Sequence, residues 1–147
     1  MQKNRGFTFI EVIIASAVFL LFAIGAYQGY FAVYVAISVA REKALAADLA
    51  NSQFEMIKNM PYSTVGTVGG SPSGLLTSVQ TVLKDSISFT VTTVVQNTDD
   101  PFDGVGGSDP FPADYKLVEI KIECTSCKNF TPMIITGMVA PKNLESA

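Results

Sequence analysis

The 147-residue chain contains no histidine and no tryptophan, and only two cysteines, Cys124 and Cys127. Those absences remove histidine-based acid–base catalysis, Ser-His-Asp chemistry and histidine-containing zinc sites. Two thiols do not fill a four-thiolate zinc site either. Charge is scarce as well: Asp, Glu, Lys and Arg total 16%, against roughly 25% in ordinary soluble domains. Residues of the AVILMFWYC set make up 48%, which excludes a disordered chain and disfavours an ordinary cytosolic enzyme. The scarcity is local, because no charged residue occurs in the 29 positions from Val12 to Ala40. No proline occurs from Phe7 to Met60. What charge there is gathers beyond that run. From Arg41 to Ala147, eight basic residues stand against twelve acidic ones, a net of four negative charges. That is the wrong sign for broad, sequence-independent nucleic-acid binding, which draws on a positive surface.

Lys3 and Arg5 precede the apolar run, as in the basic n-region of an export signal. A cleavable signal would have an apolar core of about 7–15 residues and small residues at the cut, whereas Arg41-Glu42-Lys43 follows a much longer stretch here. As a helix, Phe7 to Ala40 would be about 51 Å long, against about 30 Å of bilayer hydrocarbon. The segment therefore stays in the mature protein, and a membrane accounts for only about 20 of its residues. Tyr27, Tyr30 and Tyr34 suit the outer interface, where aromatic rings with a polar tip settle. Lys3 and Arg5 favour an inside N-terminus, with Arg41 and Lys43 pulling more weakly the other way. Hydropathy alone gives a signal-anchored membrane protein with an exported domain.

The start of the run is more specific. Arg5-Gly6-Phe7-Thr8-Phe9-Ile10-Glu11-Val12 places one carboxylate in an otherwise apolar helix. A charge within a membrane helix is costly and usually has a task. The string Gly-Phe-Thr-Phe-Ile-Glu-Val resembles the processing site of type IV prepilins and type II secretion pseudopilins. It shares with them a short basic leader ending in glycine, an aromatic residue next, an acid four residues on, and a long apolar helix. In that family a membrane-embedded aspartyl peptidase cuts after the glycine and methylates the new terminal amine. The resemblance implies cleavage between Gly6 and Phe7, methylation at Phe7, and a mature chain starting there. The new amine, protonated below a pKa of about 8, would sit four residues before Glu11 on the same helical face. Glu11 also lies in the first turn, where the helix dipole favours a negative charge. In the family, the equivalent glutamate neutralises the terminal amine of a neighbouring subunit during assembly. The alternative is pairing within one subunit together with helix capping.

Gly25 and Gly29 form a Gly-xxx-Gly spacing, suited to close helix packing in membranes or to local unwinding. The family's major pilins commonly carry a helix-breaking proline in this half, and this chain does not. From Arg41 the pattern turns amphipathic: Leu45, Ala46, Ala47, Leu49, Ala50, Phe54, Met56, Ile57 and Met60 share one broad arc. Arg41, Asp48, Asn51, Glu55 and Lys58 fill most of the rest, and Pro61 ends the helix. A loop follows with Gly66, Gly69, Gly70, Pro72 and Gly74. Val79 to Leu83 is a weak strand. Ile87, Phe89 and Val91 alternate with Ser88, Thr90 and Thr92. Val118, Ile120, Ile122 and Cys124 alternate with Glu119, Lys121 and Glu123. Met133 to Ala140 supplies a fourth strand. The expected fold is α+β: a long N-terminal helix with a four-stranded antiparallel sheet packed on its amphipathic half, the lollipop that the pilin resemblance also implies. The organisation is a 1–6 leader, a 7–40 apolar transmembrane and assembly helix, a 41–62 amphipathic half, and a 63–147 exported β domain.

Asp99, Asp100, Asp103, Asp109 and Asp114 crowd five carboxylates into 16 residues. Calcium takes six to eight oxygens from such loops, and some pseudopilins bind it in this region. The spacing is not that of an EF-hand, and Asp and Gly are also common in plain solvated turns. No cofactor is required, with calcium the one candidate. Cys124 and Cys127 frame a CxxC at the tip between the last two strands. A thioredoxin-type site would need a helix start beside a βαβ unit, and one CxxC is half a zinc site. Export makes a disulfide the plain expectation.

The leading function is a non-enzymatic filament subunit, a minor pilin or pseudopilin of a type IV pilus or type II secretion-like filament. Its implied partners are prepilin peptidase, other pilin subunits, an inner-membrane assembly platform and the membrane itself. The implied location is the inner membrane, single-pass with the N-terminus inside, and then a surface or periplasmic filament. The competing class is an exported binding module, with calcium as its candidate ligand, on an anchor that never assembles. A paired-carboxylate hydrolase is the weakest reading, since nothing sets the Asp99, Asp100 and Asp103 group in a rigid cleft.

Overall fold

The computed structural model describes residues 6–99 and 114–141. Two compact units divide the chain, Met1–Ala40 and Arg41–Ala147. Helix α1 runs from Phe9 to Asn59, 51 residues. It begins two residues later than the apolar run because Thr8 caps it. It ends before Met60, the residue whose helical conformation Pro61 disfavours.

Among the described residues of the first unit, most of the large apolar side chains of α1 are exposed. Its most apolar 18-residue window is entirely unburied, in a helix long and apolar enough to cross a membrane. Gly25 and Gly29 are ordinary helical residues with open space around both.

The second unit is α+β, as the alternating segments predict. β1 (Val79–Lys84), β2 (Ile87–Thr98), β3 (Tyr115–Cys124) and β4 (Met133–Val139) form one sheet in that order. Every neighbouring pair is antiparallel. β1 and β2 are joined by Asp85 and Ser86, both at positive φ, as a two-residue hairpin turn of the primed type demands. β2 and β3 are longer than their clearest alternation. In β2 the two-residue period persists past Thr92, with Thr93 and Val95 buried and Val94 and Gln96 turned outward.

The inner face of the sheet brings Phe89, Val91, Val95, Val118, Ile120, Ile122 and Val139 onto Ala46, Leu49, Ala50 and Ile57 of α1. Full burial of such side chains stabilises by roughly 1.5–3 kcal/mol each. The covered stripe is narrower than the arc drawn from the sequence. Phe54 and Met56 lie roughly 80° to either side of its centre. Phe54 packs against the core, whereas Met56 is 50% exposed. Gln53 lies inside the stripe and accepts a 3.0 Å hydrogen bond from Gln80 of β1. Asp48 takes Lys84, and Arg41 reaches Asp85 at 3.1 Å. Polar contacts thus tie β1 and its turn to α1, in addition to Val82, which packs against the core.

The glycine-rich segment after Pro61 is a folded connector. Leu75 donates to Thr64, Leu76 to Gly66, and Val68 to Leu76, with N···O distances of 2.8–3.0 Å. Val65 and Leu76 from this segment join the core.

Gly137 of β4 leaves room for the Phe54 ring, because a β-carbon there would overlap it. Gly137→Val should cost about 1–3 kcal/mol, read as a lowered Tm of the detergent-solubilised chain. In a Phe54→Ala background the same substitution should cost far less.

Candidate functional site

Gly6, Phe7 and Thr8 precede α1 in non-helical backbone. Thr8 is the N-cap: its hydroxyl accepts from the Glu11 N–H at 3.4 Å, and the Glu11 carboxylate accepts from the Thr8 N–H at 3.4 Å. This is a capping box, two otherwise orphaned donors satisfied reciprocally. In the uncut chain the lone acid of the apolar run is therefore a helix cap, placed where the helix dipole favours it. Phe7 and Phe9 are each 83% exposed. Gly6 has negative or extended backbone and open space where a β-carbon would stand. Among the described residues, neither conformation nor packing demands a glycine there. Lys3 and Arg5 lie outside the described residues.

The second unit holds a charged residue that alternation did not flag. Lys116 faces inward on β3 and is 6% exposed. Its ammonium donates to the carbonyls of Tyr62 at 2.8 Å and Val65 at 2.6 Å, and lies 4.5 Å from the Tyr62 ring centre. It clamps the chain leaving α1 to the start of β3. Burial holds its pKa below the usual lysine range. Burial, and then the charge of Asp114, push the Tyr62 phenol up. The signal in the sequence was faint: Lys116 keeps the parity of Val118, Ile120 and Ile122, but its charge argues for solvent.

Cys124 and Cys127 are joined by a disulfide with Cα atoms 5.5 Å apart. It lies between β3 and β4, close in sequence to Phe130, which packs edge-on against Phe89 at 6.1 Å. Of the acidic loop, Asp100, Asp103 and Asp109 lie outside the described residues. Asp99 and Asp114 directly follow and precede the Thr98–Tyr115 pair, at the base of the β2–β3 hairpin. Among the described residues, no group of three or more His, Cys, Asp or Glu side chains is placed to hold a metal ion. A shallow cavity of about 290 Å³ lies between the end of α1 and the end of β4, lined by Lys58, Met60, Pro61, Tyr62, Ser63 and Val139 among others. Its lining offers an amine, a phenol and a hydroxyl without a carboxylate.

Residues 1–27 match the family described as the prokaryotic N-terminal methylation motif, the signal of type IV prepilins, which bears out the resemblance read from Gly6 to Val12. No curated protein and no solved structure matches the chain.

Lys116→Met should destabilise by about 1–3 kcal/mol, because the Val65 carbonyl loses the lysine's hydrogen bond whereas the Tyr62 carbonyl keeps the Val65 N–H at 3.2 Å. The two shifted groups also set the sign of the alkaline pH dependence. Between the lowered Lys116 pKa and 10.5 the unfolded chain binds more protons, so stability rises with pH. Above 10.0 the unfolded tyrosine ionises first, so stability falls. Thermal melts across pH 8–11.5 should show both limbs in the wild type and only the falling limb in Lys116→Met.

Proposed function

We propose that this chain, whose first 27 residues carry a prepilin signal, is a minor pilin or pseudopilin: a structural, non-catalytic subunit of a type IV pilus or type II secretion-like filament. The observation that carries this reading is the join between the processing motif and a helical segment, before Arg41, whose apolar surface is left uncovered among the described residues. A bilayer explains that surface during storage, and parallel helices of sister subunits explain it after assembly. Prepilin peptidase, other pilin subunits and an inner-membrane assembly platform are the partners that follow.

The cut is assigned between Gly6 and Phe7. The peptide there lies ahead of the helix, in non-helical backbone. Gly6 is required by no feature of the described residues, so the demand for it is assigned to the peptidase. The uncut chain sits in the inner membrane with its N-terminus inside and the domain from Arg41 exported. Tyr27, Tyr30 and Tyr34, all exposed on α1, then fall at the outer interface.

After cleavage the Phe7 amine stands four residues before Glu11. A charge buried among apolar helices is tolerable mainly when paired, and we assign Glu11 to the amine of the neighbouring subunit. Gly25 and Gly29 leave flat ground where a second helix can approach closely.

The N-terminal mass of the protein from its native host tests the pathway: the expected chain begins at Phe7 and carries one extra methyl group. Gly6→Leu should leave the chain uncut and absent from sheared filaments. A functional full-length product would instead favour an anchored binding module. Glu11 separates capping from charge pairing, because glutamine also completes a capping box. Glu11→Gln should keep the helix start and still lose assembly, as Glu11→Ala does. Filament yield at wild-type level from Glu11→Gln would leave capping as the whole role.

A further inference from the structure

An antiparallel sheet of four strands has two free edges, here β1 and β4, and among the described residues no strand pairs with either. Edge strands ordinarily ward off pairing with charge or proline. β4 has neither in Met133–Val139. On its outward face Ile134 and Met138 are 55% and 63% exposed, and on β1 Val79 and Leu83 are 56% and 73% exposed. Each edge thus presents two apolar side chains four residues apart with a threonine between them, Thr136 on β4 and Thr81 on β1.

We propose that β4 of one copy pairs antiparallel with β1 of a second copy, in the register Ile134 with Leu83, Thr136 with Thr81 and Met138 with Val79. Apolar residues then meet apolar ones across the join, and threonine meets threonine. On the inner face the same register sets Ile135 against Val82, Gly137 against Gln80 and Met133 against Lys84, so no like charges oppose. The proposal rests on the filament reading above, and strand parity links the two. With an even number of antiparallel strands, β4 runs opposite to β1. Two copies in the same orientation, as a shared apolar helical core requires, therefore present antiparallel edges to each other. A two-fold contact of β4 with β4 either inverts one copy or turns its helix-covered face to the opposite side. The β4–β1 contact avoids both. It is also heterologous and does not close by two-fold symmetry, so it propagates from copy to copy. The occupant of each edge is thus another copy of this chain, joined by strand addition.

Disulfide trapping of the full-length chain, in cells that process and assemble it, tests the register. Residues directly opposite across a strand pair have Cβ atoms about 4.5–5.5 Å apart, near enough to bridge with small adjustment. A chain carrying both Thr81→Cys and Thr136→Cys should give a ladder of dimers, trimers and higher species under mild oxidation. Co-expressed single variants should give dimers, and each single variant alone only monomer. Dimers from Thr136→Cys alone would overturn the register in favour of a two-fold contact. Sheared filaments that contain the double variant without a ladder would overturn edge pairing and leave the filament reading standing. An uncut chain with neither filaments nor ladder would overturn both. Independently, Thr136→Lys should lower filament yield about tenfold by charging the edge, and adding Thr81→Glu should restore it. Unaltered yield from Thr136→Lys overturns the proposal as well.

Discussion

Apolar surface on α1 that the chain itself leaves uncovered sets the terms for everything else. Hydrophobic side chains exposed at this density do not stay in water, and a bilayer is about 30 Å thick. The two units meet this constraint in opposite ways. Beyond Arg41 the helix finds a sheet of its own chain and buries Ala46, Leu49, Ala50 and Ile57 under it. Before Arg41 the cover has to come from outside. With the prepilin signal at the head of that segment, the proposed cover is lipid first and sister helices afterwards.

The sheet is held on α1 by unlike devices along its width. At the β4 side an aromatic ring fits over a glycine, Phe54 over Gly137. At the β1 side polar contacts through Gln53, Asp48 and Arg41 add to the packing of Val82. At the base, one buried lysine satisfies two carbonyls of the connector. Apolar packing is strong and tolerant of sliding, whereas polar pairs and a ring seated on a glycine have one geometry each. Together they fix the register that a uniform apolar stripe would leave loose.

Much of this was legible in the order of residues. The apolar run, the acid four places after Phe7 and the alternation in β2 and β3 declared helix, signal and sheet, because each is a pattern of period or spacing. Thr8 and Glu11 carry the capping-box pattern, and capping stood in the sequence reading as the alternative to pairing with a neighbouring subunit. Met56 was misplaced because a helical wheel gives the angle of a side chain but not the width of what covers it. Lys116 was missed because its partners are backbone carbonyls some 50 residues away in sequence, which no local pattern records. The connector after Pro61 reads as a loop by composition, and its hydrogen bonds emerge only when the chain folds back on Thr64 and Gly66.

The reciprocal bonds between Thr8 and Glu11 keep the carboxylate occupied while the leader is attached. On the proposed reading, scission ahead of Phe7 supplies the cation that the Glu11 carboxylate of a neighbouring copy pairs with. A hydrolysed peptide does not re-form, so the change runs one way only. On that reading, subunits would accumulate as inert stock in lipid, with readiness to polymerise conferred one molecule at a time and never withdrawn.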